Sequence, residues 1–288
     1  MEIAIGLPNT VAGTGCRQLT DWARAAAEAG FSSLGTIDRI VYPNYEPVVA
    51  LSAAAAVTER IRLATTVMLG PLRGNPAMVA KQTLSLDALA GGGRVVLGIG
   101  IGAREDDYEI SGVPMSERGR WLDDALPRIR RIWDGDGEIE SAVGPRPQGG
   151  GPALILGGTV DASIERAARH GDGWMLGGGP PEQFAELAEK LDVAWERHGR
   201  EGKPRKLALA YFSLGADGER DAQRSLGDYY AWLGEDLARM IVDTAAKDAA
   251  TVRGYIAAFE GAGCDELFFL PSSSDTGQVG MLAEAAGL

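Results

Sequence analysis

A single (β/α)8 barrel is the fold class that this sequence predicts, and three observations lead to it. Short β-rich runs alternate with helically patterned segments from one end of the chain to the other, as repeated βα units require. The runs are almost continuously apolar, as in RVVLGIG from Arg94, which means burial on both faces in a parallel sheet wrapped by helices. Eight such units fit the 288 residues at about 36 each, the size of a closed barrel rather than an open doubly wound sheet. The whole chain, residues 1–288, therefore reads as one domain.

The strands follow in order. They are EIAIGLP from Glu2, SSLGTI from Ser32, IRLATTVML from Ile61, RVVLGIGIG from Arg94, ALILGG from Ala153, GWMLGG from Gly173, KLALAYFSL from Lys206 and ELFFLP from Glu266, each ending in a Gly, Pro, Asp or polar cluster. Helical spacing fills the intervals: Phe184, Leu187, Ala188, Leu191 and Trp195 mark one apolar face, and Val252, Tyr255, Ile256 and Phe259 another. Two stretches exceed simple connections. The Gly/Pro-rich segment from Gly135 to Pro152, containing GPRPQGGGP, reads as an irregular excursion before strand five, and Asp217 to Lys247 as a helical insertion after strand seven that either lids the barrel or builds an interface.

Composition narrows the function. Lys plus Arg number 28 against 40 Asp plus Glu, a net charge of −12 and a pI near 4.7, so no basic stripe exists for nucleic acid or an anionic membrane surface. A small-molecule partner is expected instead. Cys16 and Cys264 stand far apart in a chain that needs no staple, which suits reduced thiols in a cytoplasmic protein. The N-terminus has no basic flank with an apolar core behind it, and no apolar run reaches the roughly 18–20 residues of a membrane span.

In a barrel the chemistry sits on the loops after the strands, so strand ends supply the candidates: Asn9, Asp38, Arg39, Thr66, Val67, Gly100, Gly102, Arg104, Gly157, Gly158, Thr159, Gly177, Gly178 and Ser272. None is a histidine. His170 and His198 fall near helix ends, where a cation meets the helix dipole, so Ser-His-Asp and Cys-His nucleophile chemistry are excluded. No His/Cys/carboxylate spacing suits a metal, and Glu105 to Asp107 reads as a solvated capping cluster. The run GIGIGA from Gly98 to Ala103 satisfies the dinucleotide fingerprint only formally. About twenty residues separate it from the clear helix at Arg118, and strand five ends in Gly157-Gly158 rather than an acidic residue. These glycines read either as tight barrel packing or as clearance for a flat ring and its polar tail. Gly157-Gly158-Thr159, ahead of a helix N-terminus, and Gly177-Gly178-Gly179 form either an anion cradle or simple turns.

The segments EPVVALSAAAAVTERIRLATTVMLGPLRGNPAMVAKQTLSLDALAGGGRVVLGIGIG from Glu46, REDDYEISGVPMSERGRWLDDALPRIRRIW from Arg104 and LGGTVDASIERAARHGDGW from Leu156 together resemble the bacterial luciferase-like monooxygenases, a barrel family of flavin- and deazaflavin-dependent oxidoreductases. The resemblance implies a tricyclic ring over the barrel mouth, against a bulge in strand three with a non-prolyl cis peptide at Thr66-Val67; taken alone, TTVML is an ordinary β-branched strand. It implies that Gly100, Ile101 and Gly102 line the ring and tail, and that Gly157, Gly158, Thr159, Gly177 and Gly178 hold the phosphate. Asp38, which by residue type alone could as well cap a turn, would face ring and substrate, and with Thr66 orient or protonate the reactants. Sugar-phosphate dehydrogenases and luciferases of this family place a histidine near Arg39, and this chain has none, so those activities are not expected. Asn9, Arg39 and Arg73 are the substrate-side candidates, the arginines suiting an anionic or carbonyl-bearing ligand.

GAREDDYEISGV followed by RGRWLDDALPRIRRIW is most similar to the deazaflavin-using subgroup, which implies coenzyme F420, with FMN the alternative. The expected activity is hydride transfer between coenzyme F420 and a small organic substrate. The rivals are an FMN-dependent monooxygenase on the same scaffold and a non-catalytic flavin-binding barrel. An isomerase or lyase would want a Lys, His or Glu at a strand end, and none is convincing. The resemblance also implies a homodimer or homotetramer.

Overall fold

A computed structural model describes residues 1–146 and 151–288. Eight parallel strands close in sequence order into a barrel: β1 (Glu2–Gly6), β2 (Ser33–Thr36), β3 (Arg62–Leu69), β4 (Val95–Gly100), β5 (Ala153–Gly157), β6 (Gly173–Leu176), β7 (Arg205–Phe212) and β8 (Glu266–Pro271). Closure runs from Glu2 opposite Glu266 to Ile5 opposite Phe269. The eight strands lie where the apolar runs predicted them, trimmed by a residue or more at several ends.

Local signals start the helices. Glu46 accepts a hydrogen bond from the Val49 N–H ahead of α2 (Pro47–Ala55), and Asn75 caps α3 (Pro76–Leu89) through the Ala77 N–H; each helix has proline at its first position, whose missing N–H is no loss there. The order is completed by α1 (Cys16–Glu28), α4 (Glu105–Ser111), α5 (Arg118–Asp134), α6 (Glu138–Ser141), α7 (Asp161–His170), α8 (Pro181–Arg197), α9 (Gly218–Tyr229), α10 (Glu235–Asp243), α11 (Ala249–Gly261) and α12 (Gly277–Ala286). The excursion before β5 carries the short α6; its residues 147–150 lie outside the described chain. Among the described residues, no helix is long and apolar enough to cross a membrane.

The core has two layers. Between sheet and helices pack Trp22, Trp174, Phe184, Phe212 and Phe259, all with essentially no exposure. Inside the barrel sit Ala4, Ala64, Val96, Ile155, Met175, Leu207, Leu209, Phe268 and Leu270, small residues opposite large ones. The N-terminal end of the barrel is closed by Glu266, fully buried, whose carboxylate accepts from Ser32 Oγ, Ser33 Oγ, Arg62 and Arg205.

Cys264 lies buried at that same end, and burial pushes its thiol up to about 12, whereas Cys16 is exposed. An aromatic disulfide reagent at pH 8 should therefore titrate one thiol in the native protein and both after denaturation, since the thiolate is the reactive form. Rapid reaction of both native thiols would contradict this packing.

Candidate functional site

The mouth of the barrel is organised by an irregularity in β3. Pairing with β4 runs from Leu63↔Val95 to Thr65↔Leu97 and resumes at Met68↔Ile99, so β3 contains one residue more than its partner between the two registers. Thr65 Oγ1 donates to the Gly98 carbonyl at 2.6 Å, and Thr66 Oγ1 donates to the Thr36 carbonyl at 3.1 Å. The Thr66-Val67 peptide is cis. Val67 packs with Ile37 against the barrel-interior cluster.

This bulge explains three glycines. A Cβ on Gly98 would lie 2.0 Å from the Thr65 carbonyl oxygen, one on Gly100 2.9 Å from Val67 Cγ2, and one on Gly157 3.1 Å from Val67 Cγ1. They are glycine because the bulge and the Val67 side chain occupy the space a side chain would need. Of the two readings of the sequence, tight packing accounts for these glycines: they seat the bulge and Val67, with Ile101 and Gly102 half-buried beside them. Tyr108 of α4 donates to the Ile101 carbonyl and steadies that segment. The presence of α4, starting at Glu105, shortens the interval that separated GIGIGA from a helix; the glycine end of β5 still distinguishes the run from a dinucleotide site.

Along the β5 and β6 ends the rim opens. Gly157 and Gly158 are half-buried, while Thr159, Gly177 and Gly178 are exposed. Gly158 adopts φ +141° with Ser163 only 2.6 Å from where its Cβ would be, and Trp174 Nε1 donates to its carbonyl at 2.7 Å, so this turn is anchored from below. Gly178 adopts φ +121°, and around both Gly177 and Gly178 the space for a Cβ is free. No side chain caps α7, whose first turn carries the exposed Asp161, so an anion at this helix start would share it with a carboxylate.

The opposite side of the mouth is a polar network centred on the loop after β2. Asn9 spends its amide on the Ile37 and Tyr45 carbonyls, at 2.8 and 3.1 Å, and accepts from the Ile37 N–H, fastening the β1 and β2 loops together. Asp38 Oδ2 accepts from the Leu69 N–H at 2.8 Å and pairs with Arg73, which also reaches Glu46. Arg39 Nε donates to Asp107 at 2.9 Å, and the other Asp107 oxygen accepts from the Ile40 and Val41 N–H groups. Asp107 was expected in a solvated cluster; it is 1% exposed, because Arg39 and two backbone donors arrive from a distant loop. Asn9, Asp38, Arg39 and Arg73 thus set the shape of this wall. Among the described residues, buried polar atoms without a partner remain at Asp38 Oδ1, Arg39 Nη1, Ser213 Oγ and Ser272 Oγ.

The segment from Asp217 to Lys247 folds over this wall. The Tyr229 ring lies 5.2 Å from the Arg39 guanidinium carbon and edge-on to Tyr42 and Tyr230, Tyr42 donates to Asp228 at 2.9 Å, and Trp232 lies 5.3 Å from Arg104 after β4. An element inserted after β7 therefore reaches loops after β2 and β4, which is the placement of a roof. It also brings the Tyr230 hydroxyl to 2.6 Å from that of Tyr211 on β7. Sequence reasoning missed this pair; the alternation Leu207, Leu209, Tyr211 was its signal for an inward ring.

Neither histidine takes part. His198 pairs with Glu165 at 3.0 Å, and His170 ends α7 in a cleft of about 490 Å³ lined by Arg130, Arg169 and Arg200, where burial and then the Arg169 charge push its imidazole below the usual range. Among the described residues, no group of His, Cys, Asp and Glu could hold a metal.

A family model described as luciferase-like monooxygenase matches residues 1–266. The chain belongs to that family. This luciferase-like barrel is 36% identical over 209 residues to an uncharacterized protein of Mycobacterium tuberculosis, covering 62% of the chain and 71% of that protein. It is 29% identical over 184 residues to an F420-dependent glucose-6-phosphate dehydrogenase of Amycolatopsis mediterranei, covering 57% and 54% respectively. Among solved structures, a monooxygenase from Streptomyces bottropensis superposes with a TM-score of 0.80 at 25% identity over 99% of this chain and 98% of that one.

Proposed function

We propose that this luciferase-like barrel is an oxidoreductase that uses coenzyme F420 to exchange a hydride with a small organic substrate. The observation that carries the reading is the asymmetry of the mouth: a glycine-lined side, buried at β4 and opening to solvent at the ends of β5 and β6, against a buried, polar, roofed wall on β2, β3 and β7. A flat ring and its phosphate tail fit the first, where Gly177 and Gly178 leave free space beside Gly158, and a substrate fits between ring and wall.

Val67, Gly100, Ile101 and Gly102 would support the ring, with Gly157, Gly158, Thr159, Gly177 and Gly178 along the tail. A bound deazaflavin supplies hydride chemistry at its ring, and the protein supplies orientation, exclusion of water and electrostatics. Thr66 and Asp38 act here as positioning groups: each already has a protein partner, and Asp38 holds Arg73 and the Leu69 N–H. Arg39, paired with Asp107, and Arg73, paired with Asp38 and Glu46, would line the substrate side as donors held in fixed positions, and Asn9 fixes the loop that carries Asp38 and Arg39. The relative named for coenzyme F420 supports the deazaflavin over FMN; the Streptomyces neighbour, named as a monooxygenase, favours FMN as the second reading. We further propose a cytoplasmic homodimer or homotetramer acting on a small molecule; the exposed Val49 on α2 and Met78 on α3 support the oligomer alone.

Oxidised coenzyme F420 and FMN, titrated separately into the apo protein and followed by quenching of ring fluorescence, test the cofactor. Micromolar or tighter binding selective for coenzyme F420 is expected. Preference for FMN transfers the argument to oxygen-consuming chemistry, and binding of neither overturns both and leaves a barrel without this cofactor.

A further inference from the structure

A hydride transfer to a carbonyl also needs a proton, and this mouth contains no histidine to give one. Its wall does contain phenols in an unusual setting. Tyr211, near the end of β7, packs against the barrel-interior cluster on one side and against the small core of the insertion, Ala222, Leu226, Val242 and Ala245, on the other. Its hydroxyl is 2.6 Å from that of Tyr230, and Tyr230 stands edge-on to Tyr229, whose ring covers Arg39. By strand alternation the next inward residues above Tyr211 and Leu270 are Ser213 and Ser272, both fully buried with hydroxyls that have no partner among the described residues. Two unpartnered buried hydroxyls one strand step above a paired phenol leave acceptor and donor capacity for an oxygen that is not part of the protein.

We infer that Tyr211 gives the proton to the oxygen of a carbonyl-bearing substrate and that Tyr230 replenishes it. This rests on the hydride-transfer reading above. A bound reduced deazaflavin would supply the hydride, and with it two electrons, to the carbonyl carbon and would itself end oxidised. The C=O π pair moves onto oxygen, which takes the Tyr211 phenol proton; Tyr211 takes the Tyr230 proton; and the Tyr230 phenolate, eased by the Arg39 charge that lies across the Tyr229 ring, recovers a proton from water. Alcohol oxidation runs the same path backwards. The direction of transfer along the pair has an electrostatic basis. Burial raises both phenols above their ordinary range, but on Tyr230 the hydrogen bond from Tyr211 and the Arg39 charge act the other way, so the charge settles on Tyr230 rather than beside the substrate. Because Tyr230 comes from the insertion, the proton path is complete only when the roof is in place.

The test uses the carbonyl infrared stretch of 13C=O-labelled cyclohexanone, benzaldehyde and pyruvate bound to the holoprotein with oxidised coenzyme, a readout independent of turnover. For at least one probe the stretch should fall on binding to the wild type, return to its solution value in Tyr211→Phe, and fall by less in Tyr230→Phe. In Tyr255→Phe, which removes a phenol donating to the Thr244 carbonyl at the far end of the insertion, it should be unchanged. For the same probe, single-turnover reduction should slow about 10²-fold or more in Tyr211→Phe, the usual worth of a positioned proton donor, with coenzyme affinity unaltered. A wild-type stretch that does not move for any probe, or one that stays low in Tyr211→Phe, overturns the assignment. Failure of coenzyme F420 to bind, with the Tyr211-dependent stretch intact, removes the cofactor reading and leaves the phenol as the oxygen-binding group.

Discussion

Alanine at position 98 is expected to destabilise the protein by about 3 kcal/mol or more, the upper end of what overpacking costs, because the obstacle is backbone. The added methyl would sit 2.0 Å from the Thr65 carbonyl oxygen, inside a bulge whose register is fixed on both sides by pairing with β4. A flexible side chain could swing away; a carbonyl that already accepts or lies within a strand pair moves only with its strand. The same displacement reaches Val67, which the packing of Gly100 and Gly157 locates, so coenzyme binding should fall together with stability. Gly177→Ala separates the two effects. Its Cβ meets nothing within 4 Å and its φ is not in the left-handed region, so its stability should stay within ~0.5 kcal/mol of wild type, while a methyl on the rim reports directly on whether the coenzyme tail lies there. Chemical denaturation read by the transition midpoint at constant slope measures both. A Gly98→Ala protein as stable as wild type would mean that the bulge is loose and cannot define a ring support.

These glycines also show where sequence stops being legible. The strand β4 was plain from its apolar run, and its glycines were visibly placed for contact with something, but whether that something was a ligand or β3 depends on a register shift that no spacing in TTVML records. Asp107 failed for a related reason. In EDDYEIS it looks like any first-turn carboxylate, and only Arg39, 68 positions earlier, makes it buried. The short α4 that carries it is illegible in the pattern, because a seven-residue helix with three acids at its start has too little apolar periodicity to register. The insertion after β7 is legible as a length of chain, yet its aromatic contacts with Arg39 and Tyr42 after β2 and with Arg104 after β4 belong to two loops distant from it in sequence. Strand positions and loop identities follow from local pattern, whereas the site's wall is built from pairs whose members are distant in sequence.

At the other end of the barrel, Glu266→Ala is expected to cost about 3 kcal/mol, the lower bound for breaking a buried charge pair. Glu266 opens β8 at 0% exposure in a position where strand alternation points it inward, and four donors converge on its carboxylate: Ser32 Oγ and Ser33 Oγ at 2.6 Å each, Arg62 at 2.9 Å and Arg205 at 2.7 Å. Removing it takes a buried acceptor from two guanidinium groups and from Ser33 Oγ, while Ser32 Oγ keeps the Ile3 carbonyl at 2.9 Å. The loss is held to the lower bound because both arginines also reach Glu2 at 2.6 Å and keep part of their side chains in water. Glu266→Gln, which keeps the volume and one carbonyl acceptor, should cost less, of the order of 1–3 kcal/mol for the donors left unsatisfied. For the alanine variant this corresponds to a fall in Tm of roughly 5–10 °C. Coenzyme affinity should be unchanged, since the length of β8, roughly 17 Å at the usual rise per residue, separates Glu266 from the mouth, and the N-terminal face of such a barrel serves stability. A variant that kept its Tm would show that Glu2 alone neutralises the arginines; one that lost coenzyme affinity while folded would mean the two ends of the barrel are mechanically coupled through β8, which carries Glu266 at one end and leads into Ser272 at the other.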